Sequence, residues 1–164
     1  MDTLALSDAT VVVDLETGPA VTCDLAVEDI CGPEPEVVAG LLFGTPEHAQ
    51  ALAAYVEHQT ITRNRADGWW VAAADSEAAA HARVATYARP AVRRASVMSD
   101  GATRPVDQMR ICRWLDYLDL LDKLGPRALI AHVRSIEVDD PEGARYPRTK
   151  RHDDATVAQY KPSD

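Results

Sequence analysis

The feature that most constrains the fold is a run of strand-forming residues close to the amino end. Residues 5–24 contain the β-branched run Ala9–Leu15, the turn-forming Thr17-Gly18-Pro19 and a second short apolar run at 20–23. Two short strands joined by a tight turn are typical of a β-hairpin, whose strands pair antiparallel. The sequence therefore predicts an antiparallel sheet that begins with this hairpin.

Helix signals follow in the middle of the chain. Thr45 can cap a helix that has Pro46 at its first position, and Asp75 can cap an alanine-rich helix that runs to about Ala82. The segments 68–72 and 92–99 have the composition of short strands. Residues 28–44, with their prolines and glycines, are predicted to form a loop.

Two more helices and a strand are predicted in the last third. Leucines recur every three residues from Leu115 to Leu124, and apolar residues continue at helical spacing from Leu129 to Ile136. Gly125-Pro126 ends one helix and starts the next, and a last strand covers about 154–160. This order of elements predicts an α+β fold with a mainly antiparallel sheet, formed by one domain that spans 1–164.

The composition of the chain argues against two classes of partner, nucleic acids and membranes. The net charge is −9, and no Lys or Arg precedes Arg63. We expect no nucleic-acid partner, because phosphate contacts require a basic face. No apolar stretch is long enough to span a membrane, and the amino terminus lacks the basic region of a signal peptide. These features predict a cytoplasmic protein with no membrane partner.

Cysteines and histidines give no recognisable motif. Cys23, Cys31 and Cys112 lack the C-x-x-C spacing of a zinc site and are expected to be reduced, buried thiols. The five histidines also lack zinc spacing, and only His152 is kept as a candidate proton donor to a leaving group. A basic loop that contains Arg145, Arg148, Lys150 and Arg151 either balances nearby acids in solvent or meets a phosphate.

Two acidic motifs are the strongest candidates for a chemical site. Ser99-Asp100-Gly101 directly follows one predicted strand, and His152-Asp153-Asp154-Ala155-Thr156 directly precedes another. Each alone is also a common turn or strand entry. Carboxylates that converge from two strand ends repel each other unless a cation lies between them, and hard divalent metals bind such oxygens.

The surroundings of these motifs resemble the metal-dependent protein phosphatases of type 2C. The string from Arg94 to Asp107 resembles the Asp-Gly motif of that family. The string 151–156 resembles its closing Asp-Asn-x-Thr motif, with Asp154 in place of asparagine, and 63–73 is similar to bacterial members. Asp8 could match the family's Gly-Asp-Ser strand, with Ser7 replacing the glycine.

The resemblance implies a fold, a reaction and a site. The fold would be part of an αββα sandwich, with two mainly antiparallel sheets flanked by helices. The reaction would be hydrolysis of phosphoserine or phosphothreonine in a phosphoprotein substrate, with Mg²⁺ or Mn²⁺ as cofactor. Asp100 and Asp153 would be metal ligands, and no catalytic residue is carried over.

The family's first metal-binding segment and its phosphate-gripping arginine have no match in the chain. We therefore expect a carboxy-terminal portion of the domain, inactive or weakly active alone, whose unpartnered strands would self-associate. The alternative is a non-catalytic pseudophosphatase-like interaction or regulatory module.

Overall fold

The computed structural model describes residues 1–162, which form two antiparallel sheets flanked by helices. The predicted α+β class, with two antiparallel sheets flanked by helices, is therefore confirmed. The strands are β1 Asp2–Ala5, β2 Thr10–Leu15, β3 Gly18–Thr22, β4 Arg83–Thr86, β5 Val92–Met98 and β6 Val157–Tyr160. The α-helices are α1 Ala26–Cys31, α2 Glu34–Ala39, α3 Pro46–Thr62, α4 Asp100–Asp107, α5 Trp114–Leu124 and α6 Pro126–Val138.

The larger sheet has the strand order β3-β2-β5-β6, and every neighbouring pair is antiparallel. The predicted hairpin is confirmed as β2 and β3, although its turn lies at Glu16-Thr17 and Gly18 already belongs to β3. In the register of this sheet, Thr10 lies opposite Met98, and Met98 lies opposite Val157. The start of β2, the end of β5 and the start of β6 therefore lie side by side at one end of the sheet.

Helices α5 and α6 cover one face of this sheet. Val12 and Met98 point from the strands into a core that these helices complete. Its other fully buried apolar members are Ala102, Tyr117, Leu118, Leu121, Leu129 and Val133. The predicted break between α5 and α6 is confirmed, with Gly125 at φ +77° and Pro126 at the first position of α6. Glycine adopts this left-handed conformation without strain, so it ends α5 at low cost.

The second face is covered only in part. The two-stranded sheet of β1 and β4 packs there, and Ala5 joins Val11 and Val13 in a smaller core. On the same face Val97 is 51% exposed and Tyr160 is 45% exposed. This open apolar area is the kind of surface that the expectation of self-association requires, and that expectation remains a prediction.

Residues 28–44 are not the predicted loop, since they lie largely in the short helices α1 and α2. The prolines that suggested a loop lie at helix starts, where no hydrogen-bonded N–H is needed: Pro33 is the N-cap of α2 and Pro35 is in its first turn. Gly32, with φ +54°, separates the two helices.

Segment 68–72 is not the predicted strand, because only an isolated bridge joins Arg63 and Trp69 there. Gly68 lies against the backbone of Thr62, where a strand residue with a side chain would not fit. Elsewhere Thr45 caps α3 as predicted, and Asp75 caps a 3₁₀ helix, Ser76–His81. Within residues 1–162, no helix is long and apolar enough to cross a membrane.

Candidate metal centre

Three aspartates lie at the end of the larger sheet where β2 and β6 begin and β5 ends. Asp8 precedes β2, Asp100 follows β5 and Asp153 precedes β6. Because β2, β5 and β6 are antiparallel neighbours, these strand ends meet in space. The structure thus brings together the two predicted ligands, Asp100 and Asp153, and places Asp8 near enough to act on the charge of Asp100. The three carboxylates do not all lie within 4.8 Å of one another.

Ser7 has the backbone conformation of a glycine. Its φ is +60°, in the left-handed region that non-glycine residues seldom adopt. Its hydroxyl donates to Asp8 Oδ1 at 3.2 Å, and its carbonyl oxygen accepts from the N–H of Asp24. The conformation fits the resemblance in which Ser7 replaces the glycine of the type 2C motif, and it fixes the chain directly before Asp8.

The two acidic motifs are hydrogen-bonded to each other. Ser99 donates its N–H to the carbonyl oxygen of Thr156 at 3.1 Å. Its hydroxyl accepts from the N–H of Thr156 at 3.0 Å and donates to the carbonyl oxygen of Asp154 at 2.9 Å. Ser99, which no histidine activates as a nucleophile among the described residues, therefore joins the end of β5 to the start of β6.

Gly101 allows these segments to approach closely. It lies in the first turn of α4, a helix that the sequence did not predict because Asp-Gly was weighed there as a turn signal. A β-carbon built on Gly101 would lie 2.5 Å from the backbone oxygen of Asp154 and 3.1 Å from that of Asp153. Any residue with a β-carbon at position 101 would push the backbone of Asp153 and Asp154 away, so this close approach requires glycine.

The carboxylate of Asp100 lies in a negative environment. Burial raises its pKa, and the carboxylates of Asp153 and Asp8 raise it further. The N–H of Gly101 and the guanidinium of Arg104 oppose that shift without cancelling it. Carboxylates that destabilise one another in this way are stabilised by a cation.

Asp153 already has cationic neighbours. Lys150 Nζ lies 3.0 Å from its Oδ2, and Arg104 Nη2 lies 3.3 Å from the same oxygen. The N–H of Asp154 donates to Oδ1 at 3.0 Å, and Arg134 donates to the backbone oxygen of Asp153. Asp153 is therefore held in place both through its side chain and through its backbone.

Arg104 is held in place by an ion pair with the fully buried Glu137. Arg104 Nη1 lies 2.6 Å from Glu137 Oε1, and Arg134 and His152 both contact Glu137 Oε2. Burial alone would raise the pKa of Glu137, but hydrogen bonds from His152, Arg134 and Arg104 together lower it. Glu137 thus stays ionised and anchors the cations that surround Asp153.

The candidate proton donor His152 borders an open depression of about 510 Å³. Arg134, Val138, Asp153 and Asp154 complete its lining. Two cationic or potentially cationic side chains thus lie beside the predicted ligand Asp153. Since His152 Nδ1 is 2.8 Å from Glu137, only its other ring nitrogen is left to face a bound molecule.

The basic loop divides into two parts. Arg148 is buried and donates to Asp140 Oδ2 at 2.8 Å, so its role is structural and it is not a phosphate contact. The N–H groups of Arg145 and Tyr146 also donate to Asp140. Although burial opposes the shift, these N–H groups and Arg148 lower the pKa of Asp140. Lys150, by contrast, turns toward the aspartate cluster.

Sequence reasoning missed the part of the site that depends on long-range contacts. Glu137 has no motif around it, and Arg104 gives no sign in the sequence that it pairs with Asp153. A separate group also went unnoticed: within residues 1–162, Cys31, Glu34 and His58 form the one group of at least three His, Cys, Asp or Glu side chains close enough to hold a metal. The Cys31-x-x-Glu34 spacing was its only local signal.

Comparison of the chain with known protein families, curated proteins and solved structures found no match in any of the three. The functional assignment of the aspartate cluster therefore depends on its own geometry and on the motif resemblance.

Proposed function

We propose that this chain is a metal-dependent phosphatase domain of type 2C character that acts on phosphoserine or phosphothreonine of a protein substrate. The observation that carries the proposal is that Asp100 and Asp153 lie close together at one end of the sheet. Burial raises the pKa of Asp100, and the carboxylates of Asp153 and Asp8 raise it further. The type 2C motif resemblance points independently to the same two residues.

The donor set fits Mg²⁺ or Mn²⁺. Both ions prefer carboxylate oxygens and water, and Mg²⁺ takes only one or two protein carboxylates while it keeps several waters. Asp100 and Asp153 supply that number, with Asp8 close enough to act on the charge of Asp100. A bound ion of this kind would neutralise phosphoryl oxygens and lower the pKa of a water molecule.

The residues around Asp153 position its carboxylate and add positive charge beside it. Arg104 is buried and tied to Glu137, so it presents a fixed positive charge beside Asp153. Arg134 and His152 line the depression next to Asp153, where they could contact a phosphate group or a leaving oxygen. The carbonyl contacts of Ser99 and Gly101 set the separation of the two motifs.

Metal binding is the first test. In calorimetric titrations with Mn²⁺, we expect Asp100→Asn to weaken binding by at least about tenfold, or about 1.4 kcal/mol. Asp116→Asn is the matched control, because it removes the same charge from an exposed position on α5. Equal affinity of wild type and Asp100→Asn would exclude Asp100 as a ligand.

One observation favours the non-catalytic alternative. Lys150 and Arg104 already pair with Asp153, so protein cations partly balance its charge. A module that had lost its metal chemistry would show such pairing. Under this alternative, Lys150→Met leaves Mn²⁺ binding undetectable, whereas under the phosphatase proposal it strengthens binding by removing a competing cation.

Turnover separates the two functions directly. An aryl phosphate assay with added Mn²⁺ should show hydrolysis by the wild type that is lost in Asp153→Ala and retained in Asp116→Asn. Absence of Mn²⁺-dependent hydrolysis together with absence of Mn²⁺ binding would favour the interaction module.

A further inference from the structure

A second cluster of ligand-bearing side chains lies among the first three helices. Cys31 ends α1, Glu34 begins α2 and His58 lies on α3. Gly32 and Pro33 form the two-residue turn between the first two helices, so Cys31 and Glu34 lie on either side of it. One ligand atom from each of the three side chains lies within 4.8 Å of the other two.

We propose that Cys31, Glu34 and His58 bind Zn²⁺ at a site separate from the Asp100 and Asp153 centre. A thiolate, an imidazole and a carboxylate match zinc, whereas Mg²⁺ and Mn²⁺ prefer oxygen ligands alone. Three protein ligands with a fourth position left for water or another ligand are typical of zinc sites that are open to solvent.

The distances are suitable for a tetrahedral ion. Zinc bonds of about 2.0–2.3 Å in a tetrahedral site place the ligand atoms about 3.3–3.7 Å apart. His58 Nδ1 lies 3.0 Å from Glu34 Oε1 and 3.1 Å from Oε2, so these two groups already lie at nearly that distance. Cys31 Sγ lies within 4.8 Å of both groups. Glu34 and His58 are partly exposed and can move toward an ion, while Cys31 is buried.

The environment of Cys31 explains why a cation would matter. The thiol lies in an apolar cluster with Val27 and Trp69, next to Tyr55. Burial raises the pKa of Cys31, and the carboxylate of Glu34 raises it further. Zinc would displace the thiol proton and neutralise the thiolate beside Glu34, as binding to cysteine generally does. Without a metal, the direct contact within the cluster is the hydrogen-bond-length approach of His58 Nδ1 to the Glu34 carboxylate.

The test is a Co²⁺ titration of the full chain under reducing conditions, followed by displacement with Zn²⁺. One equivalent of Co²⁺ should produce a thiolate-to-cobalt absorption band that Zn²⁺ removes. His58→Gln should weaken Co²⁺ binding by about tenfold or more, and Cys31→Ser should abolish the band. Cys23→Ser and Cys112→Ser are matched controls that should leave the band unchanged, since neither thiol belongs to the cluster.

Each contrary result overturns the proposal. It fails if the wild type gives no thiolate band, if the band survives Cys31→Ser, or if His58→Gln binds as tightly as the wild type. Because His58 is partly exposed, its variant stays informative even if a change at buried Cys31 impairs folding. Asp100→Asn should leave the cobalt band intact, so failure of the phosphatase proposal would not affect this test.

Discussion

Gly101→Ala tests whether the close contact between the two acidic motifs is required. The added β-carbon would lie 2.5 Å from the backbone oxygen of Asp154 and 3.0 Å from its carbonyl carbon. No side-chain rotation can relieve this overlap, because the obstructing atoms belong to the backbone. The start of α4 and the segment before β6 must therefore move apart.

The cost follows from the distance. Ordinary contacts of a β-carbon begin at 3.4 Å, so Asp154 must shift by about 0.9 Å. Overpacking of this kind costs about 1–3 kcal/mol, and alanine recovers about 0.5–1 kcal/mol through its better helix propensity. The shift also lengthens the hydrogen bond from Ser99 Oγ to Asp154. Because the overlap is with backbone atoms, we take the upper half of the cost and expect a net loss of about 1–2.5 kcal/mol in the free energy of unfolding.

Urea denaturation measures this loss, and Mn²⁺ calorimetry measures its effect on the site. Gly40→Ala is the matched control, because its β-carbon would meet only Glu36 and Val37 oxygens at 3.4 and 3.6 Å. That control should be neutral or stabilising by up to about 1 kcal/mol. If Gly101→Ala unfolds at the wild-type urea concentration and binds Mn²⁺ with wild-type affinity, close packing of the two motifs does not determine the site.

Two further predictions concern buried ion pairs near the site. The folded-state pKa of Asp140 is lowered, so its stabilisation is present above about pH 4 and is lost as the pH falls through that lowered value. Asp140→Asn should therefore lower the free energy of unfolding by about 3–5 kcal/mol at pH 7. It should also make stability less dependent on pH in acid, as measured by thermal unfolding between pH 3 and 7. An acid profile like that of the wild type would contradict this. Glu137→Gln leaves buried Arg104 with only the longer contact to Asp153 at 3.3 Å, so it should also cost about 3–5 kcal/mol in urea denaturation. A loss below about 1 kcal/mol would show that the pair with Glu137 does not stabilise the fold.

Local sequence signals predicted the elements whose causes are local. The hairpin, the Thr45 cap of α3 and the Gly125-Pro126 break each depend on a few adjacent residues, and each is confirmed. Pairing between distant segments gave no such signal. The β1–β4 sheet joins Asp2 with Thr86, and neither strand shows the alternation that would have identified it.

The candidate site divides in the same way. Asp100 and Asp153 could be predicted because each follows or precedes a recognisable strand, and antiparallel strands bring such ends together. The cations that surround Asp153 could not, since Arg104 and Glu137 lie on different helices and meet only through packing. The group of Cys31, Glu34 and His58 could not be predicted either, because its members lie on three separate helices.

The charges of the cluster determine the order in which its ligands could bind. Asp8, Asp100 and Asp153 outnumber the buried cation Arg104, while Lys150 is 47% exposed and its pairing with Asp153 is weak. A phosphate group would be repelled from this cluster unless a divalent cation bound first. Under the phosphatase proposal, binding of the metal must therefore precede binding of the phosphate group. If Asp100 and Asp153 bind no divalent ion, the pairing of Lys150 and Arg104 with Asp153 favours the alternative of a non-catalytic interaction module.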